Sequence, residues 1–243
     1  MRSPRHRLFV DTALAAGAPV ALNADQSHRL LHVLRAGRGE ALALFNGRDG
    51  EWLASLAEAG RKGATLAVES RLRPQADESG PWLLFAPIKR GPFDLVIEKA
   101  TELGASALLP VWTRHTDSQR LNEERMRAIA IEAAEQCGRL TVPETHAPRD
   151  LDAVLAGWPG DRRLIVLDET GHGGPIADVL MREADGAAAL LVGPEGGFAE
   201  SELDALRGLA FAVAADLGPR ILRAETAAIA ALACYQALRA GRH

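Results

Sequence analysis

The stretch Leu217-Gly218-Pro219-Arg220-Ile221-Leu222-Arg223-Ala224-Glu225-Thr226 places three charges between two segments whose composition favours burial. Before it, residues 211–217 form an apolar run short enough for a buried strand. After it, residues 227–238 are rich in Ala and Leu, almost free of charge and strongly helix-forming. A helix that is apolar nearly all round is expected to be buried, against its own domain or against a partner subunit. Arg220, Arg223 and Glu225 must then be paired or face a ligand, because an uncompensated charge beside such elements is costly.

Two upstream loops have the same character. The strand Leu190-Leu191-Val192 runs into Gly193-Pro194-Glu195-Gly196-Gly197-Phe198, followed by a helix beginning near Glu200. The strand Leu164-Ile165-Val166-Leu167 runs into Asp168-Glu169-Thr170-Gly171-His172-Gly173-Gly174-Pro175. In open α/β sheets the ligand lies at the C-terminal ends of the strands, and glycine lets a backbone approach it closely. Three consecutive strand exits of this kind are expected to line one small-molecule site.

The pair Gly193-Pro194-Glu195-Gly196-Gly197 and Leu217-Gly218-Pro219-Arg220-Ile221-Leu222-Arg223-Ala224-Glu225-Thr226-Ala227 resembles the C-terminal signature of the SPOUT methyltransferases. The closest resemblance is to the RsmE type, which methylates N3 of a uridine in small-subunit ribosomal RNA. It extends over nearly the whole chain, including Arg5-His6-Arg7-Leu8-Phe9 and Glu132-Ala133-Ala134-Glu135-Gln136-Cys137-Gly138-Arg139. It implies an α/β chain with a C-terminal trefoil-knotted SPOUT methyltransferase domain and a small N-terminal PUA-like β-barrel. It further implies S-adenosylmethionine as methyl donor, 16S rRNA within the small ribosomal subunit as substrate, and a homodimer. By the same resemblance, Leu167, Gly193, Gly196, Leu217, Gly218, Ile221, Leu222 and Thr226 form the donor pocket.

Uracil N3 carries a proton, so methylation there needs a general base, or cations that stabilise the imidate anion. Arg223, then Arg220, are the anion-stabilising candidates, and Glu195 and Glu225 the base candidates. Either glutamate could instead brace the loop arginines as an ion pair. The N3 edge is consumed by base pairing, so the target must be unpaired or flipped out. Two other readings remain: a 2′-O-ribose methyltransferase on the same fold, and a non-catalytic RNA-binding assembly factor, against which the intact arginines and glycines weigh. Nucleotide-binding enzymes are set aside because neither G-x-G-x-x-G after the first strand nor G-x-x-x-x-G-K-[ST] is present.

The net charge of −4 is unevenly spread: residues 1–73 hold eleven Lys and Arg against seven Asp and Glu, the remainder seventeen against twenty-five. Such asymmetry suggests that the N-terminal part meets a polyanion. Its short strands, at residues 8–10, 41–45, 52–56 and 64–68, suit a small barrel, with one helix that starts near Asp25 or Ser27. Arg2, Arg5, His6, Arg7, Arg29, His32, Arg35 and Arg38 are its phosphate-contact candidates, with Arg5 and Arg7 foremost. Lys89 and Arg90, at a strand end in the second domain, could also contact RNA. Gln136 and Arg139 read as substrate or dimer contacts, or Arg139 as a helix cap.

Residues 1–73 are thus the RNA-binding domain, residues 74–81 the linker and residues 82–243 the methyltransferase domain. The last opens with a βαβ unit whose helix contains Pro92 in its first turn and stops at Gly104. A second helix runs from Asn122, a good N-cap, to Cys137. Ala199 stands where a serine would cap better, and Arg114-His115-Thr116-Asp117-Ser118 matches the family less well than its surroundings. Cys137 and Cys234 read as buried thiols, and no spacing suggests a metal site. No apolar run spans a bilayer and no signal peptide is apparent, so a cytoplasmic location is expected.

Overall fold

The computed structural model describes residues 4–60, 63–76, 78–116, 121–183 and 187–239. Arg2, Asp117 and Ser118 lie outside them. The chain divides into two compact units, Met1–Glu78 with Ala134–Val142, and Ser79–Ala133 with Pro143–His243.

The first unit is a five-stranded sheet in the order β1-β3-β4-β5-β2, built from β1 (His6–Phe9), β2 (Pro19–Ala21), β3 (Ala41–Phe45), β4 (Glu51–Gly60) and β5 (Gly63–Arg73). Alternation along β5 puts Ala64, Leu66 and Val68 inside with Leu8, Val20, Leu42, Leu44 and Leu56. The helix after β2 differs from expectation at its start. Asn23 is the cap of α1 (Ala24–His28): its Oδ1 accepts from the Gln26 amide at 2.8 Å, and Gln26 Oε1 accepts from the Asn23 amide at 3.2 Å. This reciprocal box outcompetes Asp25 and Ser27 as the start signal. The chain then widens into a π-turn, Arg29–Val33, where the Leu34 amide reaches Arg29 O at 2.9 Å.

Ala134–Val142 is held in this unit by side chains read from sequence as RNA contacts. Arg7 donates from Nε to Glu51 at 2.6 Å, from Nη1 to Ala134 O and Glu135 O at 2.6 and 3.0 Å, and from Nη2 to Arg139 O at 2.6 Å. Its guanidinium also lies 4.4 Å from the Phe45 ring centre. Arg139 is buried and donates from Nε to Glu78 at 3.1 Å and from Nη2 to the Thr141 hydroxyl at 3.1 Å. Both arginines therefore act as internal ties of this unit. Glu78, in the stretch read as linker, also accepts from the Leu140 amide at 3.1 Å and the Thr141 hydroxyl at 2.5 Å. Burial pushes its carboxyl up, but Thr141, Leu140 and Arg139 together hold it below the ordinary value.

The second unit is a parallel sheet in the order β11-β13-β10-β12-β6-β7-β8, with β9 also paired to β7. Its strands are β6 (Trp82–Phe85), β7 (Ala107–Trp112), β8 (Glu144–Thr145), β9 (Arg149–Asp150), β10 (Arg162–Leu167), β11 (Gly174–Pro175), β12 (Ala187–Val192) and β13 (Ala212–Asp216). Continuous apolar runs such as Leu190-Leu191-Val192 are what a parallel sheet covered on both faces demands. The helices are α2 (Arg90–Glu102), α3 (Glu123–Cys137), α4 (Leu151–Ala156), α5 (Ile176–Arg182), α6 (Glu200–Arg207) and α7 (Ala224–Arg239). Pro92 lies in the first turn of α2, and Gly104 follows its end at φ +82°. The Asn122 side chain accepts from the Arg125 amide at 2.9 Å and caps α3.

The buried-thiol expectation needs correction. Cys137 is exposed and Cys234 only partly buried. The buried stripe of α3 runs through Met126, Ala130, Ala133 and Ala134; Cys137 continues it by spacing but is the last residue of the helix, where the side chain is left exposed. The terminal helix α7 buries Ala224, Ala228, Ala231 and Leu232 but leaves Thr226, Ala233 and Ala237 exposed. Its apolar surface exceeds what the described residues of its own unit cover. No described helix is long and apolar enough to cross a membrane.

Candidate functional site

Strands β13, β10 and β12 are consecutive in the sheet, so their C-terminal exits lie side by side. Between them is a cleft of about 640 Å³, lined by residues 167–171 after β10, 192–195 after β12, and 215–224 with Ala227 after β13. This volume is within the range of small-molecule sites, roughly 300–1,000 Å³. The ladder between β10 and β13 closes with the Asp168 amide on Ala215 O at 3.0 Å, and beyond that bond the two chains diverge to form opposite walls. On the β13 side the Gly218 amide bonds Asp216 Oδ1 at 2.9 Å, and Gly218 turns at φ +99°, a conformation that favours glycine.

Of the expected donor-pocket residues, Leu167, Gly193, Leu217, Gly218, Ile221 and Leu222 line this cleft. Gly196 and Thr226 do not. Gly196 faces the loop after β7, where its carbonyl and that of Gly197 each lie 3.2 Å from His115 Nδ1. Thr226 points outward from the first turn of α7. Ile221 is 86% exposed on the cleft wall, an uncovered apolar face suited to a flat, largely apolar ligand group.

Arg220, Arg223 and Glu195 line the same cleft, all exposed; Glu225 does not line it. Among the described residues no hydrogen bond or ion pair engages the side chains of Arg220, Arg223 or Glu195, and Glu225 does not pair with either arginine. The bracing ion pair weighed from sequence is thus not formed. The arginines face the cleft with no anion assigned to them.

The cleft also holds acids that had no sequence-based role. Asp168 is buried; its Oδ1 accepts from the Thr170 amide at 2.8 Å and the Thr170 hydroxyl at 2.5 Å, and Oδ2 from Arg207 Nη2 at 3.2 Å. Burial pushes its carboxyl up, but Thr170 and Arg207 outweigh that and hold it below the ordinary value. Glu169, next to it, is pushed up by partial desolvation and by the negative charge of Asp168. Two adjacent acids at the end of a buried strand were the available signal.

Glu202 does more than complement the dipole of α6. Its Oε2 accepts from the Ala199 amide and its Oε1 from the Arg114 amide, both at 2.9 Å. It thereby pins the loop after β7 to the start of α6. Of the other RNA candidates, Arg5, Arg35, Lys89 and Arg90 are exposed, while Arg29 donates from Nη1 to Glu135 at 2.7 Å.

Residues 79–236 match the family model for an RNA methyltransferase domain, and residues 22–69 that for an RNA methyltransferase PUA domain. The chain is 32% identical to ribosomal RNA small subunit methyltransferase E of Rickettsia conorii, over 94% of this chain and 93% of that one. It is 33% identical to the protein of the same name from Mycobacterium bovis, over 92% and 88%. Among solved structures it resembles the Neisseria gonorrhoeae ribosomal RNA small subunit methyltransferase E bound to S-adenosylmethionine, with TM-score 0.87, 28% identity and coverage of 96% and 97%. A Legionella pneumophila methyltransferase, also holding S-adenosylmethionine, aligns with TM-score 0.83 and 30% identity over 95% and 96%.

Proposed function

The chain belongs to the ribosomal RNA small subunit methyltransferase E family of S-adenosylmethionine-dependent RNA methyltransferases, and we propose that it methylates N3 of a specific uridine in 16S rRNA. The observation that carries this reading is a cleft with two exposed, unpaired arginines, Arg220 and Arg223, beside an uncovered apolar wall at Ile221. When bound there, S-adenosylmethionine supplies a methyl group activated by its sulfonium. Backbone groups of Gly193, Leu217 and Gly218 can reach the donor's polar edges, and Ile221 and Leu222 cover its apolar ones. Arg223, with Arg220, stabilises the negative charge that develops on the uracil ring as N3 loses its proton. Such preorganised donors act where charge appears in the transition state, so they accelerate the chemical step itself.

Residues 1–73 serve as the PUA-like RNA-binding domain, residues 74–81 as the linker and residues 82–243 as the catalytic, trefoil-knotted domain. Arg5, Arg29 and Arg35, with Lys89 and Arg90, supply phosphate contacts on a flipped-out or unpaired target. The uncovered side of α7 meets a second copy in a homodimer. The protein acts in the cytoplasm on the small ribosomal subunit.

The test is methyl transfer from labelled donor to unmodified small-subunit rRNA or 30S particles, with nucleoside mass spectrometry of the product. Wild type is expected to yield N3-methyluridine, and Arg223→Ala to lose roughly 100-fold or more in turnover, the usual effect of deleting one such donor. A ribose-methylated product, or an Arg223→Ala variant as fast as wild type, would sink this reading.

A further inference from the structure

The cleft is lined by four carboxylates that differ in what they can do for a proton on N3, and that of Asp216 already accepts from the Gly218 amide through Oδ1 at 2.9 Å. Asp168 is buried and fully engaged by Thr170 and Arg207, which hold it ionised and a poor proton acceptor. Glu195 is exposed at the rim. Glu169 lies in the cleft, and no hydrogen bond or ion pair engages it among the described residues. Its carboxylate rests against Gly197, whose φ of +67° already favours glycine; a Cβ there would overlap Glu169 Oε1. The carboxylate thus sits against the turn that follows the exit of β12. Arg220 and Arg223 stand on the remaining wall, formed by the exit of β13.

From this arrangement we propose that Glu169 is the general base of the reaction, taking the N3 proton while Arg223 and Arg220 face the ring's developing charge. The proposal rests on the N3-uridine reading above. In the step, the N3 proton passes to the Glu169 carboxylate. N3 uses the freed electron pair to bond the methyl carbon, and the pair of the breaking methyl–sulfur bond stays on sulfur. Glu169 is open to solvent and releases the proton there before the next turnover.

A general base works best when its own ionisation lies near the working pH. Desolvation and the Asp168 charge move Glu169 in that direction. The other charged groups that line the cleft are Glu195, Asp216, Arg220 and Arg223. Arg207 and His172 lie behind Asp168, and His115 behind the turn at Gly196 and Gly197. The protonated form is inactive, so the rate falls as pH drops through this ionisation.

The experiment measures single-turnover formation of N3-methyluridine between pH 5 and 9 for wild type, Glu169→Gln, Glu169→Asp and Glu195→Gln, with donor affinity from calorimetry. Glu169→Gln is expected to lose roughly 10²- to 10⁴-fold in rate, the usual contribution of such a base, while its donor Kd changes less than about threefold. Its acidic limb disappears, leaving a rate that climbs toward the nucleobase's own ionisation. Glu169→Asp keeps a limb with a shifted midpoint, and Glu195→Gln keeps the wild-type limb. The assignment is overturned if Glu169→Gln retains the wild-type rate and limb, or if its loss lies wholly in donor affinity. Should Glu169→Gln unfold, an unmoved limb in Glu169→Asp overturns it equally. Wild type producing no N3-methyluridine would refute the functional reading itself, whereas N3-methyluridine made normally by Glu169→Gln refutes only this assignment.

Discussion

Arg5 and Arg7 stand two residues apart in one motif, and the structure gives them opposite fates. Arg7 is drawn inward because Glu51 and three backbone carbonyls converge on its fork. Arginine suits that position, since its rigid donors can satisfy several fixed acceptors at once. Arg5 precedes β1 and is exposed. Arg7→Ala is therefore expected to lower unfolding stability by roughly 2–3 kcal/mol, the range for charged hydrogen bonds left half-made, whereas Arg5→Ala leaves it unchanged. Urea titrations of both variants decide the matter; equal stability would show that the Arg7 contacts contribute nothing net. Residue type and motif position alone did not separate the two arginines, because the acceptors of Arg7 on residues 134–139 are more than a hundred positions away in sequence. The 61 positions between Arg139 and Glu78 likewise hid the tie between them, while the place of Arg220 and Arg223 at the cleft was legible because their anomaly, charge between two apolar segments, is local.

At the scale of elements, most of the second unit could be read directly. Strands buried on both faces announce themselves as apolar runs, and Asn122, Pro92 and Gly104 punctuate the helices by local chemistry. The short β2 escaped notice because only Val20 of its three residues is buried, too little for a periodic signal. The π-turn at Arg29–Val33 was equally invisible, since its apolar spacing also fits an ordinary helix. The start of α6 combines a legible defect with an illegible compensation. Ala199 offers no side-chain cap, as its identity dictates, but Glu202 accepts from the Ala199 amide and, across the sheet's loops, from the Arg114 amide. Half of a capping box is thus already in place. Ala199→Ser would supply the other half, with the hydroxyl accepting from the Glu202 amide, and is expected to stabilise the protein by about 1 kcal/mol. A thermal melt showing no gain would mean that the first turn of α6 is already satisfied without it.

The whole chain carries a net charge of −4 and yet belongs to a family that modifies a polyanion. The uneven distribution of charge resolves this apparent conflict, because association with nucleic acid depends on the few cations that displace counterions, not on the total. Exposed Arg5 and Arg35 lie in the positively charged residues 1–73, whereas exposed Arg182 lies in the acidic remainder. If the first group touches phosphate, the slope of log affinity against log salt for single-stranded RNA loses about 0.7 for each contact removed. The double variant Arg5→Ala with Arg35→Ala is then expected to flatten the slope by about 1.4, while Arg182→Ala leaves it unchanged. Both alter net charge with the same sign, so a response to overall charge would shift the two slopes in proportion to the arginines removed. A double variant with the wild-type slope, or an Arg182→Ala effect half as large as the double variant's, would show that the basic N-terminal residues are not where the RNA backbone is held.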